Sequence, residues 1–116
     1  MLRAMHLIKT IPDEKIGTIA VDFDGTLCER ERFPAIGSPK TTLIEWLKEK
    51  RRCGAKLILW TCREGEDLRA AVAWCANHGL LFDAVNENHA TCTLKTRKVV
   101  ADLYIDDRAA LPTYEE

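Results

Sequence analysis

Thr18 to Thr26 reads TIAVDFDGT. Its first part, Thr18 to Phe23, is a short apolar, β-rich run, the mark of a strand buried on both faces. The run passes straight into Asp22-Phe23-Asp24-Gly25-Thr26. With a period of two, Asp22 and Asp24 project to one side of the strand and Phe23 to the other. Two carboxylates side by side at the end of a buried strand repel each other and lose hydration. They need a cation or a shared proton. Gly25 then permits a sharp turn whose exposed backbone N–H groups suit an anion.

Outward from this stretch, apolar runs alternate with helical patterns. Lys56 to Trp60 (KLILW), Leu80 to Val85 (LLFDAV) and Val99 to Ile105 (VVADLYI) also read as buried strands. Between the first two strands a helix is predicted, with Ser38 as N-cap, Pro39 at its first position and Gly54 after its last turn. Leu43, Ile44 and Leu47 share one face of it. A second helix is predicted from about Glu66 to His78, with Leu68, Ala71, Val72 and Cys75 buried and Gly79 closing it in the left-handed conformation. Strand and helix in alternation, with short connections, imply right-handed crossovers and a parallel sheet covered by helices. The expected fold class is α/β, three-layered and Rossmann-like, with a mostly parallel central sheet.

In such sheets ligands bind beyond the carboxyl ends of the strands. The last strand ends at Asp106-Asp107-Arg108, a second acidic pair. If the two pairs meet at one sheet edge they make a hard-cation site, best suited to Mg²⁺ with several retained waters. The second strand ends at Thr61-Cys62-Arg63, a hydroxyl donor and a guanidinium, and Lys95 and Lys98 precede the last strand. An acid cluster, a divalent cation, a hydroxyl and one or two cations compose a phosphate site.

Composition narrows the class. The chain has 116 residues, 17 Lys and Arg against 18 Asp and Glu, and a net charge of -1. That length suits one domain over residues 1–116. The charge balance removes the electrostatic reason for general nucleic-acid or membrane-surface binding. No apolar run approaches the roughly 18 residues of a membrane span. MLRAMHLIKTIPDEK at the N-terminus lacks the pattern of a secretory signal. Five cysteines, an odd number without C-x-x-C, suggest neither a disulfide framework nor a zinc knuckle. Reduced thiols and a cytoplasmic location fit best.

Asp22-x-Asp24-Gly25-Thr26, Thr61 after an apolar strand, a lysine, and then Asp106-Asp107 together resemble the four motifs of the haloacid-dehalogenase-like (HAD) superfamily of aspartate-nucleophile phosphohydrolases. The resemblance runs from about Thr18 to Arg108, and DFDGTL followed by a distant LYIDD is a fairly specific combination. The ending LYIDDR also looks like that of the deoxyribonucleotidase branch. The resemblance implies a capless member, with no separate cap domain, that hydrolyses phosphomonoesters. Asp22 is then the nucleophile that forms an aspartyl-phosphate. Asp24 is the general acid and base. Thr61 holds a phosphoryl oxygen, and Lys98, or Lys95, neutralises the transferring group. Mg²⁺ is held by Asp22, by Asp24 through its backbone carbonyl, and by Asp106 or Asp107. Gly25, Thr26 and Arg63 are the expected substrate contacts. The expected substrate is a small phosphorylated compound or a phosphorylated macromolecule, and a homo-oligomer suits so short a chain.

Each of these residues also has a plainer reading. A strand-end carboxylate is often a helix cap or turn former. Thr61 alone reads as a cap, Arg63 as a surface ion-pair partner, and Asp106-Asp107 alone as a solvated turn. Asp22 and Asp24 followed by Gly-Thr outweigh that reading. His6, His78 and His89 show no ligand spacing, and Cys28 and Cys62 read as small hydrophobes. Glu29 to Gly37 and Asn86 to Arg97 read as loops bordering the site. Two functional alternatives belong to other classes. A phospho-accepting receiver-like signalling domain uses similar residues, but with the adjacent acidic pair early in the chain. A non-catalytic phosphate- or metal-binding module would lack a nucleophile, acid or metal ligand.

Overall fold

The computed structural model describes residues 16–94 and 96–108. Residues 1–15 (with His6), Lys95 and residues 109–116 lie outside them. Strand β1 is Thr18–Val21, helix α1 Thr41–Arg52, β2 Lys56–Leu59, α2 Gly65–Asn77, β3 Ala84–Val85 and β4 Leu103–Ile105. All pairings are parallel and the order is β3-β2-β1-β4. The α/β class is as expected, and no cap domain is inserted among the described residues.

Strand alternation divides the core. Ile19, Val21, Leu57 and Leu59 face Leu43, Ile44 and Leu47 of α1 and Ala71 and Cys75 of α2. Ala20 and Ile58 face the other way and meet Val99, Ala84, Ala101 and Tyr104. Both helices lie on one face because β1, β2 and β3 follow one another across the sheet in one direction, each crossover right-handed. Among the described residues the opposite layer is irregular chain from the β3–β4 connection rather than helix. Tyr104 fastens it, its hydroxyl donating to the Val99 carbonyl at 2.6 Å and accepting the Ala101 N–H at 3.1 Å.

Several boundaries move inward, each for a visible reason. Helix α1 starts at Thr41, with Lys40 as its cap residue, so Ser38 and Pro39 are not helical. They run beside the chain that follows the first motif: Pro39 bridges Cys28, and the Ser38 carbonyl accepts the Glu29 N–H at 2.8 Å. Leu80 to Asp83 is not strand. Leu80 is buried at the end of α2, and the Asp83 carboxylate accepts the Leu57 N–H at 2.8 Å where a strand would start pairing. Likewise the Asp102 carboxylate takes the N–H groups of Gly17 and Thr18, both at 2.8 Å, and β4 begins only after it. Helix α2 matches expectation within a residue at each end, and Gly79 (φ 79°) follows it in the left-handed region.

The connectivity sets where a ligand can sit. The chain leaves β1 toward β2 and later returns to place β4 on the other side of β1. Beyond the carboxyl ends of β1 and β4 there is therefore a crevice at a topological switch point.

Candidate active site

Asp22 follows β1 and Asp106-Asp107 follows β4, and the Asp22 N–H donates to the Ile105 carbonyl at 2.9 Å. This in-register pairing brings one oxygen from each of Asp22, Asp106 and Asp107 within 4.8 Å of one another. Burial, helped by the charges of Asp106 and Asp107, pushes the Asp22 carboxyl up to about 6. Hydrogen bonds from the Phe23 backbone and the Thr26 hydroxyl pull the other way. A set of carboxylate oxygens that resists its own charge fits a hard divalent cation.

Asp24 does not join that group. Its two oxygens accept Nε and Nη2 of Arg63 at 2.9 and 2.8 Å. Arg63 is only 3% exposed, its guanidinium 5.2 Å from each of the Phe23 and Phe33 ring centroids. Nη1 and Nη2 also donate to the carbonyls of Pro34 and Ala35, at 3.1 and 3.2 Å. The hydrogen bond to Asp24 pushes the guanidinium pKa further up. Arg63, expected at the phosphate, is thus committed to Asp24 and to the 29–37 loop. The expected Asp24 metal contact does not come from its side chain.

Thr26 is also corrected from substrate contact to internal brace. It is fully buried, and its hydroxyl donates to Asp22 Oδ2 at 3.2 Å while accepting the Asp107 N–H at 3.0 Å. One hydroxyl therefore ties the two acidic strand ends together. Gly25 (φ 80°) forms the expected turn, and a Cβ there would stand 2.3 Å from Asp107 Oδ2. No side chain fits between the turn and the second acidic pair.

Thr61 keeps its expected place, next to β2 at the same edge. Its hydroxyl accepts the Arg63 N–H at 3.1 Å, so its own proton is left to donate to an incoming oxygen. Asn86 (φ 55°), unmarked by sequence reading, accepts the Thr61 N–H at 2.8 Å and fixes this position. Its signal was an Asn just past a strand, a residue that tolerates the left-handed conformation.

Lys98 makes no ion pair with the acidic cluster. It is exposed, and its backbone is held by the Thr96 hydroxyl and by Asn88 Nδ2, which donates to the Lys98 carbonyl at 2.9 Å. Among the described residues the cation that reaches the cluster is Arg30, which no motif singled out. It pairs with Asp107 at 3.0 Å.

The cysteines Cys28, Cys53, Cys62, Cys75 and Cys92 are free, and burial pushes the Cys75 thiol up to about 12, so it is inert. No helix among the described residues is long and apolar enough to cross a membrane.

No family model and no curated protein matches the chain. A solved structure does: the conserved protein coded by a locus of Bacteroides thetaiotaomicron is 44% identical with a TM-score of 0.71, over 83% of this chain and 81% of that one. At that identity and coverage the chain belongs to the same family as this conserved Bacteroides protein.

Proposed function

We propose that the chain is a Mg²⁺-dependent phosphomonoester hydrolase of the HAD-like type, acting through an aspartyl-phosphate on Asp22. The observation that carries this reading is the meeting of Asp22 with Asp106 and Asp107 within 4.8 Å at the crevice between β1 and β4. Asp22 and one or both of the paired aspartates are the residues to hold Mg²⁺. When bound, the ion neutralises charge so that an anionic nucleophile can approach an anionic phosphate.

The remaining steps belong to the chain itself. An Asp22 oxygen attacks phosphorus, the bond to the leaving oxygen breaks, and Asp24 gives that oxygen its proton. Asp24 then takes a proton from water, whose oxygen attacks phosphorus and releases inorganic phosphate and the Asp22 carboxylate. Arg63 occupies one lone pair on each Asp24 oxygen and leaves another for the proton. Thr61 donates its hydroxyl proton to a phosphoryl oxygen, and Thr26 keeps the nucleophile aligned.

The grip of Arg63 on Asp24 favours one second reading. An acid/base group held this firmly slows the hydrolytic step, as a phospho-accepting domain requires. Hydrolysis of p-nitrophenyl phosphate with Mg²⁺, with EDTA and by Asp22→Asn separates the two. Turnover that needs the metal and disappears in the variant supports the phosphatase. A lasting adduct from acetyl phosphate without turnover supports the acceptor, and neither result overturns both.

A further inference from the structure

The two arginines at this edge differ in how they are held. Arg63 is buried and fixed on two rings and three acceptor residues. Arg30 has a side chain 48% exposed, and its Nε and Nη2 donate to Asp107 Oδ2 and Oδ1 at 3.1 and 3.3 Å. This two-point fork covers a carboxylate of the cation-binding group. A Cβ on Gly25 would stand 3.0 Å from both Cγ and Nε of Arg30, so the side chain lies across the glycine turn. Arg30 therefore lies against both the glycine turn and the acidic cluster that contains Asp22.

We propose that Arg30 is an exchangeable counter-ion that neutralises Asp107 in the ion-free chain, yields it to a divalent cation, and then binds the substrate's phosphoryl oxygens. The inference rests on the phosphohydrolase reading of the site. Without a cation, Asp22, Asp106 and Asp107 repel one another, and a guanidinium on Asp107 relieves part of that repulsion. A divalent cation at the same oxygens repels the guanidinium, while a bound phosphate attracts it. The planar fork that fits a carboxylate fits a phosphate equally well. With its guanidinium half in solvent, although the Asp107 side chain is 19% exposed, the pair is weak enough to exchange. Arg30 thereby takes the place expected for Lys98.

Binding of Mn²⁺ alone, followed by the electron paramagnetic resonance of the free ion, tests the first half without any turnover. Arg30→Gln removes the competitor, so its Mn²⁺ dissociation constant falls about two- to fivefold, the range an exposed pair supports. Titration with inorganic phosphate at saturating Mg²⁺ tests the second half. Its affinity drops about tenfold in Arg30→Gln, with Arg30→Lys between that variant and the parent. Unchanged or weaker Mn²⁺ binding in a folded Arg30→Gln overturns the exchange, and unchanged phosphate binding overturns the substrate contact. If the parent hydrolyses p-nitrophenyl phosphate, either failure leaves the phosphatase reading standing. A parent that neither takes up Mn²⁺ nor turns over loses both.

Discussion

Asp22 and Asp24 stand two residues apart at the end of one strand, yet the fold surrounds them oppositely. Around Asp22 it gathers more negative charge, from Asp106 and Asp107, and excludes enough water to push its carboxyl up to about 6. Around Asp24 it supplies a buried guanidinium on both oxygens, itself packed between Phe23 and Phe33. The Asp22 side carries repulsion that Arg30 relieves only in part and a ligand can relieve further; the Asp24 side is internally satisfied. A ligand has most to relieve where the chain is dissatisfied, and the fold gains most stability where it is not.

The largest effect is expected on the satisfied side. Arg63→Ala leaves the Asp24 carboxylate and the Pro34 and Ala35 carbonyls without their donors and opens a gap between two rings. Removing one partner of a buried pair costs about 3 kcal/mol. Urea unfolding should show a loss of that size, and Arg63→Met, which refills the space without the charge, should recover part of it. A loss below about 1 kcal/mol would erase the contrast, because Arg63 would then behave as a surface arginine.

On the other side the sign reverses. The folded state raises Asp22 from 3.8 to about 6, so it favours the neutral carboxyl. The associated stabilisation is complete below about pH 4 and is lost as pH rises through about 6. In metal-free protein Asp22→Asn should match the parent near pH 4 and exceed it at pH 7 and above, by about 1–2 kcal/mol after allowance for solvent screening. Added Mg²⁺ should narrow or invert that gap, since only the parent offers the full carboxylate set. A thermal melt series from pH 4 to 8 with and without Mg²⁺ measures it. A variant less stable than the parent at pH 7 without metal would mean that Asp22 is not strained by its neighbours.

The two sides were unequally legible in the sequence. Asp22 and the Asp106-Asp107 pair could be read because strand ends on a parallel sheet meet by topology alone, and their side chains need no further information. The partner of Asp24 could not be read that way. Arg63 follows β2 closely enough to reach either the crevice or the interior, and the Phe33 ring and the Pro34 and Ala35 carbonyls that help hold it inside lie on a loop without periodicity. Arg30 lies on the same loop, so its pairing with Asp107 was equally hidden. Elsewhere two of the errors share one cause, short side chains competing for backbone groups, and the third comes from a backbone bridge. Asp83 and Asp102 each cap a strand start that apolar content alone extends too far, and the bridge from Pro39 to Cys28 removes a helical turn that Ser-Pro chemistry favours.

The smallest expected effect tests how far the satisfied side extends into the loop. Arg63 meets two rings at the same 5.2 Å, but Phe23 is fully buried and packs edge-on against Trp74, whereas Phe33 is 62% exposed. Area burial therefore contributes little at Phe33, and its contact with the guanidinium is the main term, about 0.5–1 kcal/mol at an exposed ring. Phe33→Ala should lower the urea midpoint by that amount. In a double-mutant cycle with Arg63→Met most of this loss should vanish, because the cation it answers to is gone. If instead Phe33→Ala costs the same in both backgrounds, the ring is held by the loop alone. The tie between Asp24 and the 29–37 loop would then reduce to the two hydrogen bonds from Arg63 to Pro34 and Ala35.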